Sequence, residues 1–220
     1  MTVKMILCSG AALGALAAGP AQAAQGDVLV RLRGIMVVPN EKSGSVLPAF
    51  PGEKVKVDNS VMPEVDITYM ATDHVGLELI AATTKHCASG RTGTTGAIGK
   101  LASTWVLPPT LTAQYHFLPE GKVRPYVGAG INYTLFYNEK ASGALASAVG
   151  ATRVHMSDSV GWAGQAGVDV DLTDKVFLNL DVKYLDIDTT ARLTTAAAGV
   201  QRVKVHLDPF VFGVGIGFRL

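Results

Sequence analysis

The sequence predicts an all-β protein, an eight-stranded antiparallel transmembrane β-barrel with short periplasmic turns and longer extracellular loops. Three observations predict it. First, side chains alternate with period 2 over unusually long runs. Leu111, Ala113, Tyr115 and Phe117 alternate with Thr110, Thr112, Gln114 and His116. After Leu118-Pro119-Glu120-Gly121-Lys122, Val127, Ala129, Ile131, Tyr133 and Leu135 alternate with Arg124, Tyr126, Gly128, Gly130, Asn132 and Thr134. Such alternation places each set on one face of a sheet, and a Gly-bearing turn between two runs marks a hairpin. Strands in soluble proteins have about 5–6 residues, whereas a tilted membrane-spanning strand needs about 9–11. Second, mean hydropathy is +0.28, yet beyond residue 23 no segment offers the ~18 uninterrupted apolar residues of a membrane helix. Third, short and long connections alternate along the chain, as they do in outer-membrane barrels.

The opening residues read as a targeting segment. Lys4 supplies a positive start, Met5 to Gly19 is apolar, and Ala21-Gln22-Ala23 is an A-x-A cleavage site, so cleavage is expected after Ala23. Residues 24–220 then form a single barrel domain. One cysteine, Cys87, remains, and a single thiol makes no internal disulfide; its Gly, Ser and Thr neighbours place it in a loop. The formal net charge of +1 and the lack of basic runs argue against a nucleic-acid partner.

The first strand covers about 27–38, with Val28, Val30, Leu32, Gly34, Met36 and Val38 on one face. A loop with three prolines follows at 39–54, then a second strand at about 55–70. Ala71-Thr72-Asp73-His74 turns into a third strand bearing Val75, Leu77, Leu79 and Ala81. Residues 85–103, rich in Gly, Ser and Thr, read as a long loop before the hairpin described above. Residues 140–152 are Ala-rich and able to hold a short helix. The sixth strand runs over about 156–171, Leu172-Thr173-Asp174-Lys175 turns the chain, and the seventh carries Leu178, Leu180, Val182 and Tyr184. A loop of about fifteen residues leads to the last strand, from about 202 to the end. Alternation changes parity across Pro209, which reads as a bulge because proline has no N–H for a ladder bond. An even strand count leaves both termini at the short-turn end.

The apolar faces carry no Asp, Glu, Lys or Arg. Placing Arg or Lys on a lipid face costs about 2–4 kcal/mol at mid-bilayer. A soluble barrel with an apolar ligand would show the opposite polarity. Tyr69, Tyr115, Phe117, Tyr133, Tyr184 and Phe218 fall near strand ends, as interfacial girdles do. The inward charges Arg31, Arg33, Asp66, Glu78, Arg124, Asp169, Asp171, Asp181 and Lys183 lie toward the periplasmic end. They read first as a structural ion-pair network filling a narrow interior, and second as a filter that reads solutes or gates them. The upper lining reads as blander: Ile35, Ile80, Ala82, Thr110, Thr134, Ala163 and Leu185. A filled lower half beneath a less polar upper half points to a sideways exit.

Catalytic and metal chemistries find little support. His74, His86, His116, His155 and His206 lack ligand spacing, and the adjacent His86-Cys87 is a weak metal pair. Gly128-Ala129-Gly130 sits within a strand, not between strand and helix, so it is no nucleotide loop. No nucleophile-elbow motif occurs. Neither cofactor nor metal nor catalytic residue is expected, and the chain is read as a non-enzyme.

Leu107-Pro108-Pro109-Thr110-Leu111, Gln114-Tyr115-His116-Phe117 and the run from Arg124-Pro125-Tyr126 to Asn132-Tyr133 resemble the OmpW family of small outer-membrane barrels. So do Asp158-Ser159, Gln165-Ala166-Gly167-Val168-Asp169, Tyr184-Leu185-Asp186-Ile187-Asp188-Thr189 and Leu207-Asp208-Pro209-Phe210. The resemblance spans the mature chain. It implies a bacterial outer-membrane location and a largely hydrophobic channel, proposed to admit small hydrophobic molecules that leave through the wall. The implied partners are outer-membrane lipids, small hydrophobic solutes and the outer-membrane assembly machinery. Two positions depart from the family pattern: Thr84-Lys85 replaces a frequent Pro-Phe, and the chain ends in Leu220 rather than an aromatic residue. The competing reading is a non-conducting structural or partner-binding barrel.

Overall fold

The computed structural model describes residues 24–220; residues 1–23, where the cleaved signal peptide is expected, lie outside the described residues. The strands are β1 (Val28–Val38), β2 (Lys42–Ser43), β3 (Val55–Val57), β4 (Ser60–Met70), β5 (Val75–Ala82), β6 (Thr84–Gly90), β7 (Lys100–Leu107) and β8 (Thr110–His116). They continue as β9 (Val123–Ala141), β10 (Thr152–Met156), β11 (Ser159–Asp171), β12 (Val176–Leu185), β13 (Asp188–Thr195), β14 (Gly199–His206) and β15 (Phe210–Arg219). Two short helices, α1 (Gly93–Ile98) and α2 (Gly143–Val149), cap the hairpins.

β1, β4, β5, β8, β9, β11, β12 and β15 form an eight-stranded up-and-down barrel, each pairing antiparallel with the next, and β15 returns to β1. Closure leaves no open edge in the hydrocarbon, where an unpaired backbone group costs several kcal/mol. The termini meet at the seal: Leu220 N donates to Val28 O at 3.0 Å and Val28 N to Leu220 O at 3.4 Å. Two of the three short turns use the same device. Thr72 Oγ1 accepts from Val75 N and Thr173 Oγ1 from Val176 N, each at 3.0 Å. A Thr hydroxyl thus stands in for a backbone acceptor, a local turn signal.

The alternation places its faces as the lipid argument requires. Leu32, Val65, Leu79, Leu111, Ile131, Trp162, Leu180 and Val214 point outward and are exposed. Tyr69, Tyr115, Phe117 and Phe218 ring the periplasmic rim. Trp162, Tyr184 and Phe210 pack in series at the opposite rim, the first pair tilted and the second edge-to-face, with ring centroids 4.9 and 5.4 Å apart. Trp162 and Phe210 thus join the residues expected at these girdles.

Above that rim the sequence reading needs correction. Residues 85–103 are not a simple loop, because β6 and β7 pair across them and α1 caps the hairpin. Cys87 accordingly lies in a strand. The expected loop after Leu185 is the hairpin of β13 and β14, which joins β10 and β2 in a second sheet. The second predicted strand breaks at Asp58-Asn59, and the sixth at Ser157-Asp158. Pro209 does not flip the chain. Val203, Val205, Leu207, Pro209 and Val211 all face inward, so inward parity is unchanged. What changes is the solvent outside. Below Pro209 the outer residues Phe210, Phe212 and Val214 meet lipid; above it Arg202, Lys204 and His206 meet water. With water outside, the hydrophobic effect turns the apolar side chains inward, as in a soluble barrel.

Candidate functional site

The interior of the barrel is layered. At the periplasmic end Leu29, Met70 and Phe177 pack together, fully buried. Above them lies the ion network. Arg31 reaches Asp66 at 3.0 Å, Asp169 at 2.9 Å, Glu78 at 3.5 Å and the Thr68 hydroxyl at 2.7 Å. Its guanidinium also lies over the Tyr126 and Phe177 rings, 5.3 and 5.5 Å from their centroids. Arg33 contacts Asp66 at 2.6 Å, Glu64 at 2.9 Å and Asp181 at 3.2 Å. Lys183 bridges Glu64 and Asp181, both at 2.8 Å. Arg124 pairs with Asp171, which Arg219 also approaches at 3.5 Å.

The structure therefore brings seven of the nine charges singled out from the sequence into one buried network, while Arg124 and the half-buried Asp171 form a separate pair beside it. Alternation in facing strands explains it: residues of one parity on every strand point at the barrel axis, and eight strands leave room for little beyond side chains. Glycines on β15 make the space. A Cβ at Gly217 would overlap the Phe177 ring, and one at Gly213 would meet the Asp181 carboxylate. Neutral groups complete the layer. Gln165 Nε2 donates to Glu78 Oε2 at 2.6 Å, and Asn179 Nδ2 to Asp169 Oδ1 at 2.7 Å. His116 stacks on Tyr126 and bonds to the Gln114 amide.

Sequence reasoning passed over Glu64 and Arg219. Glu64 shares the inward parity of Asp66, so the alternation itself would have found it. Arg219 sits at the rim, where inward and solvent-facing positions look alike in sequence.

Over the network the lumen turns apolar. A cavity of ≈ 100 Å³ is lined by Ile35, Val37, Ile80, Ala82, Phe136 and Leu185 below, and by Val154, Leu193, Val203 and Leu207 above. Its floor is the Glu64–Lys183 pair. Thr110 also lines it, through a hydroxyl that donates to Pro108 O at 2.9 Å. Two residues of the predicted upper lining stand outside this wall. Thr134 faces inward but bonds to the Asn132 amide at 2.9 Å, and Ala163 packs behind the cavity in the apolar cluster. His86 contributes a ring from above the membrane. Burial pushes its imidazole below the ordinary value, against the pull of the Asp58 carbonyl and carboxylate, which favours the neutral ring.

Beside the cavity the wall has a seam. β5 pairs with β8 up to Ile80 opposite Thr110, and β6 pairs with β7 from Thr84 opposite Val106. No ladder pairing joins residues 81–83 to 107–109 among the described residues. Pro108 and Pro109 have no N–H to give. On the other edge, the pairing of β4 with β5 ends at Glu64 opposite Ala82. Thr83 is therefore held in neither ladder; its hydroxyl bonds to the Tyr137 hydroxyl at 2.5 Å. Ala82, Thr84, Pro108 and Thr110 face the cavity at this point.

The comparisons agree with this architecture. The model of the OmpW family matches residues 24–220. The chain is 37% identical to Outer membrane protein W of Vibrio cholerae, over 99% of this chain and 100% of that one. It is 38% identical to Outer membrane protein W of Escherichia coli, again over 99% and 100%. Among solved structures, the outer membrane protein OprG of Pseudomonas aeruginosa superposes with a TM-score of 0.85 at 31% identity, covering 90% of this chain and 98% of that one. AlkL, solved in lipid bilayers, shares the fold with a TM-score of 0.64 at 22% identity, over 100% of this chain and 97% of that one. A closed eight-stranded barrel with a charge-free outer face and two aromatic girdles, matched end to end by these relatives, belongs to the OmpW family of bacterial outer-membrane proteins.

Proposed function

We propose that the protein admits small hydrophobic molecules from outside and releases them sideways into the bilayer. The observation that carries this reading is the apolar cavity resting on a sealed, charged floor, with an unpaired wall seam at the same height. An apolar solute entering from above meets Leu207, Val205 and Phe136 rather than polar groups, so desolvation favours entry. It meets the Glu64–Lys183 floor below, where an apolar molecule gains nothing by displacing a satisfied ion pair. The seam beside Ala82 and Pro108 leads instead toward lipid next to Leu79 and Leu111. The cavity is somewhat smaller than the ~150 Å³ that holds benzene in an engineered apolar site, so the solute is small or slender. The lumen charges serve as plug and gate, and the apolar residues above them as channel lining. Outer-membrane assembly machinery is the partner for insertion, acting on a chain whose last residue, Leu220, is exposed at the periplasmic rim.

The test is uptake of a small apolar solute and a hydrophilic solute of similar size, in cells with and without the protein. Faster entry of the apolar solute alone is the expected result. Entry of both would mean that the plug leaks and the barrel is a small general pore. No change for either would favour the second reading, a structural or partner-binding barrel, to which the filled lower lumen lends itself.

A further inference from the structure

The outward face of the upper sheet carries a row of basic side chains that the solute path does not use. His155 pairs with Arg192 across β10 and β13, and Arg192 pairs with Arg202 across β13 and β14. All three side chains are exposed on the water side, with Arg153 and Lys204 on the same face above and below. Like charges directly opposite each other on a sheet are destabilising. Acids attend the histidines: Glu139 lies 3.6 Å from His155, and Asp188 2.5 Å from His206. Among the described residues no carboxylate stands within 4.0 Å of Arg153, Arg192, Arg202 or Lys204. The fold thus sets two exposed arginines directly opposite each other, neither paired to a carboxylate among the described residues.

We propose that this row binds the phosphate groups of a phosphorylated glycolipid in the outer leaflet. Two adjacent guanidinium forks suit a phosphate, which accepts paired N–H bonds from each. Height selects the lipid. Arg202 lies eight residues above the girdle residue Phe210. At about 3.3 Å per residue and a tilt near 40° it stands roughly 20 Å above the girdle. An ordinary phospholipid headgroup extends only about 5–8 Å beyond the hydrocarbon. A lipid whose phosphates sit on sugars reaches the row; a simple phosphodiester does not. The acids agree with this. Asp186, Asp188 and Asp208 bring carboxylate oxygens within 4.8 Å of one another just above Tyr184 and Phe210, at the height of a phospholipid phosphate, and repel it there.

The experiment uses the full barrel in phosphatidylcholine nanodiscs doped with a rough-type lipopolysaccharide carrying core phosphates, or with the same glycolipid after dephosphorylation. Retention through detergent washes is the readout. The wild type is expected to retain the phosphorylated form at least tenfold better. Arg192→Gln with Arg202→Gln is expected to lower it to the dephosphorylated level, and Lys85→Gln on the other sheet to leave it unchanged. Heat-modifiable mobility confirms that each variant is folded. Equal retention of the two glycolipids, undiminished retention by the double variant, equal retention of phosphatidylglycerol, or displacement by millimolar inorganic phosphate would each overturn the proposal.

Discussion

Replacing Arg33 by Met keeps length and apolar volume while removing one charge from the buried network. Arg33 holds Glu64, Asp66 and Asp181 within 3.2 Å and accepts no water contact in doing so, being 2% exposed. With it Arg31 and Lys183 face Glu64, Asp66, Glu78, Asp169 and Asp181, so three basic groups meet five acids, two in excess. Without it the excess grows to three, and Glu64 and Asp181 are left to share Lys183. Breaking a buried ion pair by removing one partner costs about 3–5 kcal/mol. At about 1.4 kcal/mol per decade, the folding equilibrium shifts by two to three and a half orders of magnitude. The assay is reversible urea unfolding of the barrel in lipid vesicles, followed by tryptophan fluorescence and by gel mobility. Arg33→Lys keeps the charge but loses the fork, and an intermediate loss is expected. Adding Asp66→Asn to Arg33→Met restores the balance of charge and is expected to recover about 1 kcal/mol or more, since residues in one network are not additive. A loss below about 1 kcal/mol for Arg33→Met, the range of an exposed pair, would refute the reading of these charges as a structural plug.

Two further outcomes follow from the facing of the strands. Arg in place of Ile131, which is 62% exposed between Leu111 and Trp162, costs about 2–4 kcal/mol on the lipid face and should block assembly, as should Leu180→Arg. Thr110→Arg, pointing into the lumen, should still yield heat-modifiable membrane protein; equal yields from all three would contradict the facing. Gly217→Ala drives a methyl into the Phe177 ring and should lower the urea midpoint, by about 1–3 kcal/mol in free energy, whereas Gly143→Ala, with open space at its Cβ and no positive φ, should not.

The membrane-embedded half of the fold was legible because lipid imposes one rule on every strand: apolar and uncharged outward, anything inward. Asp66 and Val65, or Lys183 and Val182, declare their faces by adjacency alone. Above the girdles the rule changes, and there the reading failed. Thr84, His86 and Ala88 on β6, and Ala191 and Leu193 on β13, line an apolar interior, while Lys85 and Arg192 meet water. The contrast between the faces is weaker, Gly and Ser are frequent, and the polarity is opposite to that of the strand below. A search for one apolar face reads such segments as loops and reads Pro209 as a bulge. The ion network and its place in the periplasmic half were legible by parity and distance from the turns, but its cross-strand partners were not: Glu64 and Lys183 form the cavity floor because strand tilt carries them level with each other, which no single strand reveals. The seam at Pro108-Pro109 was visible only as a motif, since its meaning depends on what stands opposite it.

The most direct test of a sideways route is to staple that seam. Residues 82 and 108 stand opposite each other when the register on either side is continued across the gap. In a Cys87→Ser background, Ala82→Cys with Pro108→Cys places two thiols across it. Oxidation is expected to reduce uptake of a small apolar solute to the level of cells lacking the protein, and reduction to restore it. Unchanged uptake, with the bridge confirmed by gel mobility, would contradict exit through this wall.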